Sequence, residues 1–356
     1  MVTPDSEGVG RLLVHPKPLR GESLHGFVLR VADANGIQDE LSWGWRASIC
    51  GRALSAEKAL QNVSSLTGVR VDELQGLAHL FLTSHGTDTC EWMGHNLRRS
   101  VFRIHPSICP QCLEDNPATR GIWDLRLITA CTRHRSWLVD TCSSCLAPLS
   151  WRRKGVFTCS CGADLTREQR NTPVPDEILA VTSFVEQQIM RDLPEAQSEI
   201  RLPAWLRDVE MGVVLHFLNS GIRKLAATFE LPLEWKGIGS KRLAGDIHVA
   251  SIASRFLSAW PSGLYAIMRG DAKVDRRTKR MRWNCLAEAF IGFADIHRAI
   301  VRGGWSLNRI MEDGSHYFQT TDMTPAEKRA NVFLVQHTLY LSYRLELAGR
   351  SIGMPS

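Results

Sequence analysis

No apolar run in this chain approaches the ~18–20 residues that cross a bilayer, so no membrane-spanning helix is expected. The opening MVTPDSEGVG carries acids and no apolar stretch, so no secretory signal is expected there. A reducing, cytoplasmic setting is expected, since the chain's clustered thiols must stay reduced to hold metal. No low-complexity tract and no fixed-period repeat occurs, which excludes a repeat array. The motifs of hydrolytic and phosphate chemistry are missing as well. There is no H-E-x-x-H pair and no Gly-x₄-Gly-Lys-Ser/Thr loop. The nearest glycine-rich run, Gly237-Ile238-Gly239-Ser240-Lys241, lacks the spacing that cradles phosphates. His95-Asn96 is a lone pair of a type usually found on the surface. An enzyme is therefore not expected, although a zinc-containing nuclease is an alternative from another class.

What the chain does have is ordinary bulk and unusual clustering. It has 356 residues, enough for two or three domains, with 44% hydrophobic and 22% charged side chains. The net charge is +6 and is unevenly placed. Segment 269–282 holds Arg269, Lys273, Arg276, Arg277, Lys279, Arg280 and Arg282 against Asp271 and Asp275. Such a block suggests contact with a phosphate-rich partner, and any such binding should weaken steeply with salt. A solvated loop is the plainer reading.

Between residues 109 and 161 lie Cys109 and Cys112 (CPQC), Cys131 and His134 (CTRH), Cys142 and Cys145 (CSSC), and Cys159 and Cys161 (CSC). Structural Zn²⁺ takes four sulfur or nitrogen ligands, typically as two short-spaced pairs separated by a loop. The spacing predicts two closed sites, Cys₃His and then Cys₄, of zinc-ribbon or treble-clef type. A closed site leaves no position for water, so two Zn²⁺ would build a scaffold rather than catalyse. A disulfide framework needs an oxidising compartment. Cys50, Cys90 and Cys285 stand alone, as buried small hydrophobes usually do.

The rest reads as mostly α. Ser23 suits a helix N-cap, with Leu24, Phe27, Val28, Val31 and Ala32 along one apolar face and Asn35-Gly36 at its end. A second helix is predicted over Ser55–Leu66, broken at Thr67-Gly68, and a third over Val71–Leu82 with Leu74, Leu77 and Phe81 inward. Helix, glycine turn, helix is the outline of a helix-turn-helix. However, Asp72 and Glu73 open the helix that would read base edges, and carboxylates there repel phosphate. A protein-contact or dimerisation module is the better reading, with Arg98, Arg99 and Arg103 able to touch a nucleic-acid backbone. Thr172-Pro173-Val174-Pro175 marks a linker. Helices are predicted beyond it over 176–191, 204–219, 242–260, 262–269, 284–302 and 325–348. The last opens with Thr324, Pro325 and Glu327, and Trp260-Pro261 breaks the middle of this part. No alternating strand pattern appears there, so an all-α bundle is expected. The domains divide as 1–103, 104–170 and 171–356.

Two of these stretches resemble a known family. HPKPLRGESLHGFVLRVADANG, followed by HPSICPQCLEDN and then WDLRLITACTRHRSWLVDTCSSCLAPLSW, resembles TniQ-family transposition proteins, relatives of TnsD, over residues 15–165. The stretch FLSAWP, beginning at Phe256, is similar to the TniQ of type I-F CRISPR-associated transposons. The resemblance implies a non-catalytic adaptor for DNA integration. Such an adaptor works as a head-to-tail homodimer on the RNA-guided Cascade complex of Cas subunits and crRNA. It recruits the AAA+ regulator TnsC, and the eight Cys and His positions above are its zinc ligands. A direct reader of an attachment site, like TnsD, is the alternative. This chain lacks a longer insertion between the first two helices, which bears on its partner face.

Overall fold

A computed structural model describes residues 12–37, 56–77, 89–168, 172–190 and 206–258, with the single positions Gly263, Ile267, Arg282, Cys285 and Ile296. The chain forms two compact units. One comprises Met1–Glu199 and Leu231–Ser251, the other Ile200–Glu230 and Ile252–Ser356.

In the first unit, α1 (Leu24–Ala34) starts where the sequence places it. The Ser23 side chain accepts the Gly26 amide at 3.0 Å, satisfying one of the first-turn donors. Asn35 and the left-handed Gly36 (φ 66°) end the helix. Next come α2 (Ala56–Thr67) and α3 (Val71–Leu77), separated by the left-handed Gly68. Residues 78–82 of the predicted third helix, Phe81 among them, lie outside the described residues. Phe27 and Val31 of α1, Val63 of α2 and Leu74 of α3 are fully buried in one apolar cluster. Each such side chain contributes roughly 1.5–3 kcal/mol of transfer free energy. Asp72 and Glu73 lie in the first turn of α3, where carboxylates favour the helix dipole, and Asp72 pairs with Arg70.

A hairpin follows that the sequence reading did not anticipate. β1 (Thr89–Trp92) pairs antiparallel with β2 (His95–Arg98), with Trp92 opposite His95. Met93 and Gly94 both take positive φ (51° and 72°), as a two-residue hairpin turn requires. This corrects the surface reading of His95. The residue is 6% exposed, and its Nε2 lies 3.2 Å from the Gln188 carbonyl. Asn96, one residue on, is exposed.

The metal-ligand region then contributes α4 (Pro110–Asp115), β3 (Ala130–Cys131) and β4 (Ser136–Trp137), the strands again antiparallel. α5 (Asp176–Ile189) opens after Pro175 with two acids in its first turn. α8 (Lys241–Ser258) is capped by the Ser240 hydroxyl, which accepts the Arg242 and Leu243 amides.

The sequence reading divided the N-terminal helices from the metal-ligand region, yet both belong to the first unit. Hydrogen bonds join them: Ser23 N to Thr119 O (2.9 Å), Gly121 N to Gly21 O (2.8 Å) and Val156 N to Asp33 Oδ2 (3.3 Å). Gly26 has to be glycine here, because a Cβ would stand 1.7 Å from Thr119 Oγ1.

In the second unit, one helical stretch runs through α6 (Met211–His216), a π turn (Phe217–Gly221) and α7 (Ile222–Ala226). It is offset from the predicted 204–219. Glu210, outside the helix, gives its carbonyl to Val213 and Val214, so helix starts only at Met211. The π turn then shifts the apolar register and carries the helix on to Ala226. Phe217 packs near Phe256, with ring centres 5.7 Å apart. Gly263, Ile267, Arg282, Cys285 and Ile296 are helical, and no strand occurs among the described residues of this unit. The predicted helix 325–348 lies outside the described residues. So does Cys50. Cys90 is buried, and burial pushes its thiol up to about 12. Cys285 is only half-buried. No helix among the described residues is long and apolar enough to cross a membrane.

Candidate metal centres

Local backbone shape brings each ligand pair together. Cys109 is the N-cap residue of α4 and Cys112 lies within its first turn, with Pro110 at the first helical position. Cys131 ends β3, and the turn to β4 carries His134 and the left-handed Arg135 (φ 49°). In the second group, Cys142 N donates to Ala147 O (3.0 Å) and Leu146 N to Cys142 O (2.9 Å), folding CSSC into a tight knuckle with Leu146 left-handed. CSC forms a matching knuckle. Cys159 N donates to Ala163 O, Gly162 N donates to Cys159 O, and Gly162 takes φ 94°.

The donor atoms of each group all lie within 4.8 Å of one another. Zn–S bonds of about 2.3 Å at tetrahedral angles separate sulfurs by about 3.8 Å. Cys112 and Cys131 Sγ are 3.6 Å apart, Cys142 and Cys161 3.8 Å, and Cys145 and Cys159 3.9 Å. A disulfide would need about 2.05 Å, and the seven cysteines of the two groups are all free thiols. His134 Nδ1 faces the sulfurs of Cys112 (3.2 Å), Cys109 (3.4 Å) and Cys131 (3.7 Å). Both donor sets therefore fit a tetrahedral, closed ion of Zn²⁺ type. They are the Cys₃His and Cys₄ groups predicted from sequence.

Charge argues for a cation as well. Hydrogen bonds from Cys112 and Cys131 pull the Cys109 thiol down to about 2, while bonds to Cys109 and then Cys131 push Cys112 far up. Cys131 is pushed up to about 12 by its bond to Cys109, with burial adding to the shift. Three thiolates this close together would repel one another, and a positive ion among them would relieve that repulsion. In the second group, burial pushes Cys159 up to about 12, whereas the Ala163 amide draws the exposed Cys161 down to about 7.

Outer partners escaped the sequence reading. His134 Nε2 lies 3.2 Å from Asp115 Oδ2, so the ring offers Nδ1 to the ion and its Nε2–H to a carboxylate. The Ser136 hydroxyl lies 3.6 Å from Cys109 Sγ. The signal for Asp115 was its place in α4 three residues after Cys112, on the same helix face. Replacing Asp115 by Ala is expected to lower metal affinity at the first centre by about 10–100-fold and to leave the second unchanged. Competition with a chromophoric chelator measures both.

The other candidate residues are placed differently. Gly237–Lys241 is a helix entry, not a phosphate cradle. Gly239 takes φ 71°, and the Ser240 amide and hydroxyl both donate to Asp140, so a carboxylate already occupies the start of α8. Arg98 and Arg99 are exposed. Arg103 is not available to a nucleic-acid backbone: its side chain is 8% exposed and donates to Ser107 Oγ, Arg126 O and Ile128 O beside Asp246. Arg282, expected in an open basic loop, is helical and 4% exposed, with its guanidinium 3.7 Å above the Phe229 ring. Arg269, Lys273, Arg276, Arg277, Lys279 and Arg280 lie outside the described residues.

Two Cys/His groups, each able to hold a metal ion, are set among helices and short hairpins. Residues 13–138 match the family model TniQ. The match takes in α1 to α3, the β1–β2 hairpin and all four ligands of the first centre, and it stops before Cys142. No curated protein matches the chain.

Proposed function

We propose that this chain is a non-catalytic target-selection protein of a transposition system, its fold held by two structural Zn²⁺ ions. The observation that carries this is the coincidence of the TniQ match with the whole first metal centre. A closed Cys₃His set has no open position at which a metal could activate water. His95, of the His95-Asn96 pair, is buried against Gln188.

The finer reading is a homodimeric adaptor that links a guide-RNA Cascade complex, of the type I-F transposon kind, to the AAA+ regulator TnsC. Two observations favour it over direct reading of an attachment site. The α3 start is acidic, and Arg103 is committed inside the protein. Contacts to RNA or DNA backbone would then rest on Arg269, Lys273, Arg276, Arg277, Lys279 and Arg280, without the buried Arg282.

Co-expression with candidate guide-complex subunits and a AAA+ regulator, followed by mass measurement of what co-elutes, tests the reading. A complex containing the guide RNA and two copies of this chain is expected. Protection of a specific DNA site by the purified chain alone would establish the direct reader instead. Magnesium-dependent nicking of plasmid would establish a nuclease.

A further inference from the structure

Glu168 lies outside every ligand motif, yet it is 9% exposed and its bonds are specific. Its Oε1 accepts the Ser143 amide at 2.7 Å and the Ser143 hydroxyl at 2.9 Å. Ser143 is the residue after Cys142, inside the CSSC knuckle. Glu168 itself follows the short 3₁₀ turn Leu165–Arg167, which packs against α4, the helix bearing Cys112. That turn is reached directly from the CSC knuckle through the Thr158–Asp164 bridge, with Leu165 N donating to Phe157 O at 2.7 Å. One carboxylate thus ties the first knuckle of the second centre to the segment that leaves the second knuckle.

The second centre needs such a tie more than the first. Cys109, Cys112 and Cys131 are all buried, whereas Cys145 and Cys161 are exposed, so half of the Cys₄ set lacks surrounding side chains to hold it. A knuckle left to itself can open at its exposed sulfurs. Electrostatics cannot be the reason for the carboxylate. Four thiolates around a divalent ion carry a net negative charge, and a further anion beside them is repelled. What remains is its double acceptor, fixed in place by burial.

We propose that Glu168 is a positioning residue of the second metal centre. It holds the Cys142–Cys145 knuckle in ligand geometry by accepting both Ser143 donors, and its negative charge is not needed. This rests on the reading that Cys142, Cys145, Cys159 and Cys161 bind one tetrahedral ion. Outer partners of this kind are typically worth 10–100-fold in metal affinity.

The test uses the full-length protein loaded with ¹¹³Cd²⁺, whose NMR signal separates an all-sulfur site from a Cys₃His site, together with zinc release to a chromophoric chelator. In Glu168→Ala the Cys₄ affinity should fall by about 10–100-fold while the Cys₃His signal is unchanged. In Glu168→Gln the amide oxygen accepts the same two bonds, so the Cys₄ centre should be retained as in the unsubstituted protein. Wild-type affinity in Glu168→Ala overturns the proposal. So does a Gln variant as weak as the Ala variant, which would mean the charge is what acts. Loss of both signals in Glu168→Ala also overturns it, because the effect would then be general unfolding. An unsubstituted protein with a single cadmium signal would instead sink the reading of the second group as a metal centre.

Discussion

Replacing Cys112 by Ser is expected to remove one metal ion per chain and to unfold the region around it. Cys112 is 7% exposed and lies 3.2 Å from His134 Nδ1 and 3.6 Å from Cys131 Sγ. A serine hydroxyl there is not a thiolate and binds the ion poorly. The three remaining donors, Cys109 and Cys131 buried and His134 partly so, would be left close together with no cation to share. Binding energies of structural zinc sites run about 10–16 kcal/mol, as large as the whole stability of a typical domain, about 5–15 kcal/mol. α4 and the β3–β4 pair, which carry the ligands, also bury Leu113, Ala130 and Trp137, so losing the site's free energy is expected to disturb their packing as well. Circular dichroism and metal analysis of the variant measure the outcome. A soluble Cys112→Ser protein that keeps its full metal content and its unfolding midpoint would show that the first group is not a metal centre.

The second large effect is expected at a residue outside every ligand motif. Glu22 is 1% exposed and receives the Arg30 guanidinium side-on, with Nε 2.8 Å from Oε1 and Nη2 2.7 Å from Oε2. It also accepts the Leu19 amide at 3.0 Å. Arg30 in turn donates to Lys17 O and lies over Phe27, so this pair fastens the Lys17–Leu19 segment to α1. Glu22→Ala strands an arginine whose side chain is 14% exposed. Breaking a buried pair from one side costs about 3–5 kcal/mol. Glu22→Gln keeps an acceptor and should cost less, about 1–3 kcal/mol. Denaturant unfolding of the metal-loaded protein gives both numbers. A Glu22→Ala variant with unchanged stability would mean that the pair merely coexists in the fold. The pair also gives a physical meaning to the PKPLRGESL…R pattern behind the family resemblance: a buried clamp rather than a partner-binding surface.

What could be read from the sequence was what is local in sequence. Each ligand pair is separated by one or two residues, so the turn that joins it was visible in the spacing. α1 announced itself through Ser23 and an unbroken apolar face. The β1–β2 hairpin was missed because its strands are four residues each, too short to establish alternation, although Met93-Gly94 is a turn signal. The Met211–Ala226 stretch was misplaced because a π turn breaks the 3.6-residue period on which the reading relied. Buried charges were the least legible. Nothing in the neighbours of Arg103 or Arg282 separates them from surface arginines. Their partners, Ile128 O and the Phe229 ring, come from 25 and roughly 50 positions away. Asp140 and Ser240 meet across 100 residues. Such contacts are set by the tertiary fold, and local spacing carries no trace of them. The same holds for Glu168 and Ser143, which meet across 25 residues.

The most direct test of the account is the metal content of the full-length protein purified without chelator, by elemental analysis, together with its ¹¹³Cd spectrum. Two closed tetrahedral centres predict about two Zn²⁺ per chain and, after exchange, one Cys₃His and one Cys₄ cadmium signal. A single ion per chain, or none, or a cadmium signal broadened by exchange with bound water, would contradict the scaffold described above.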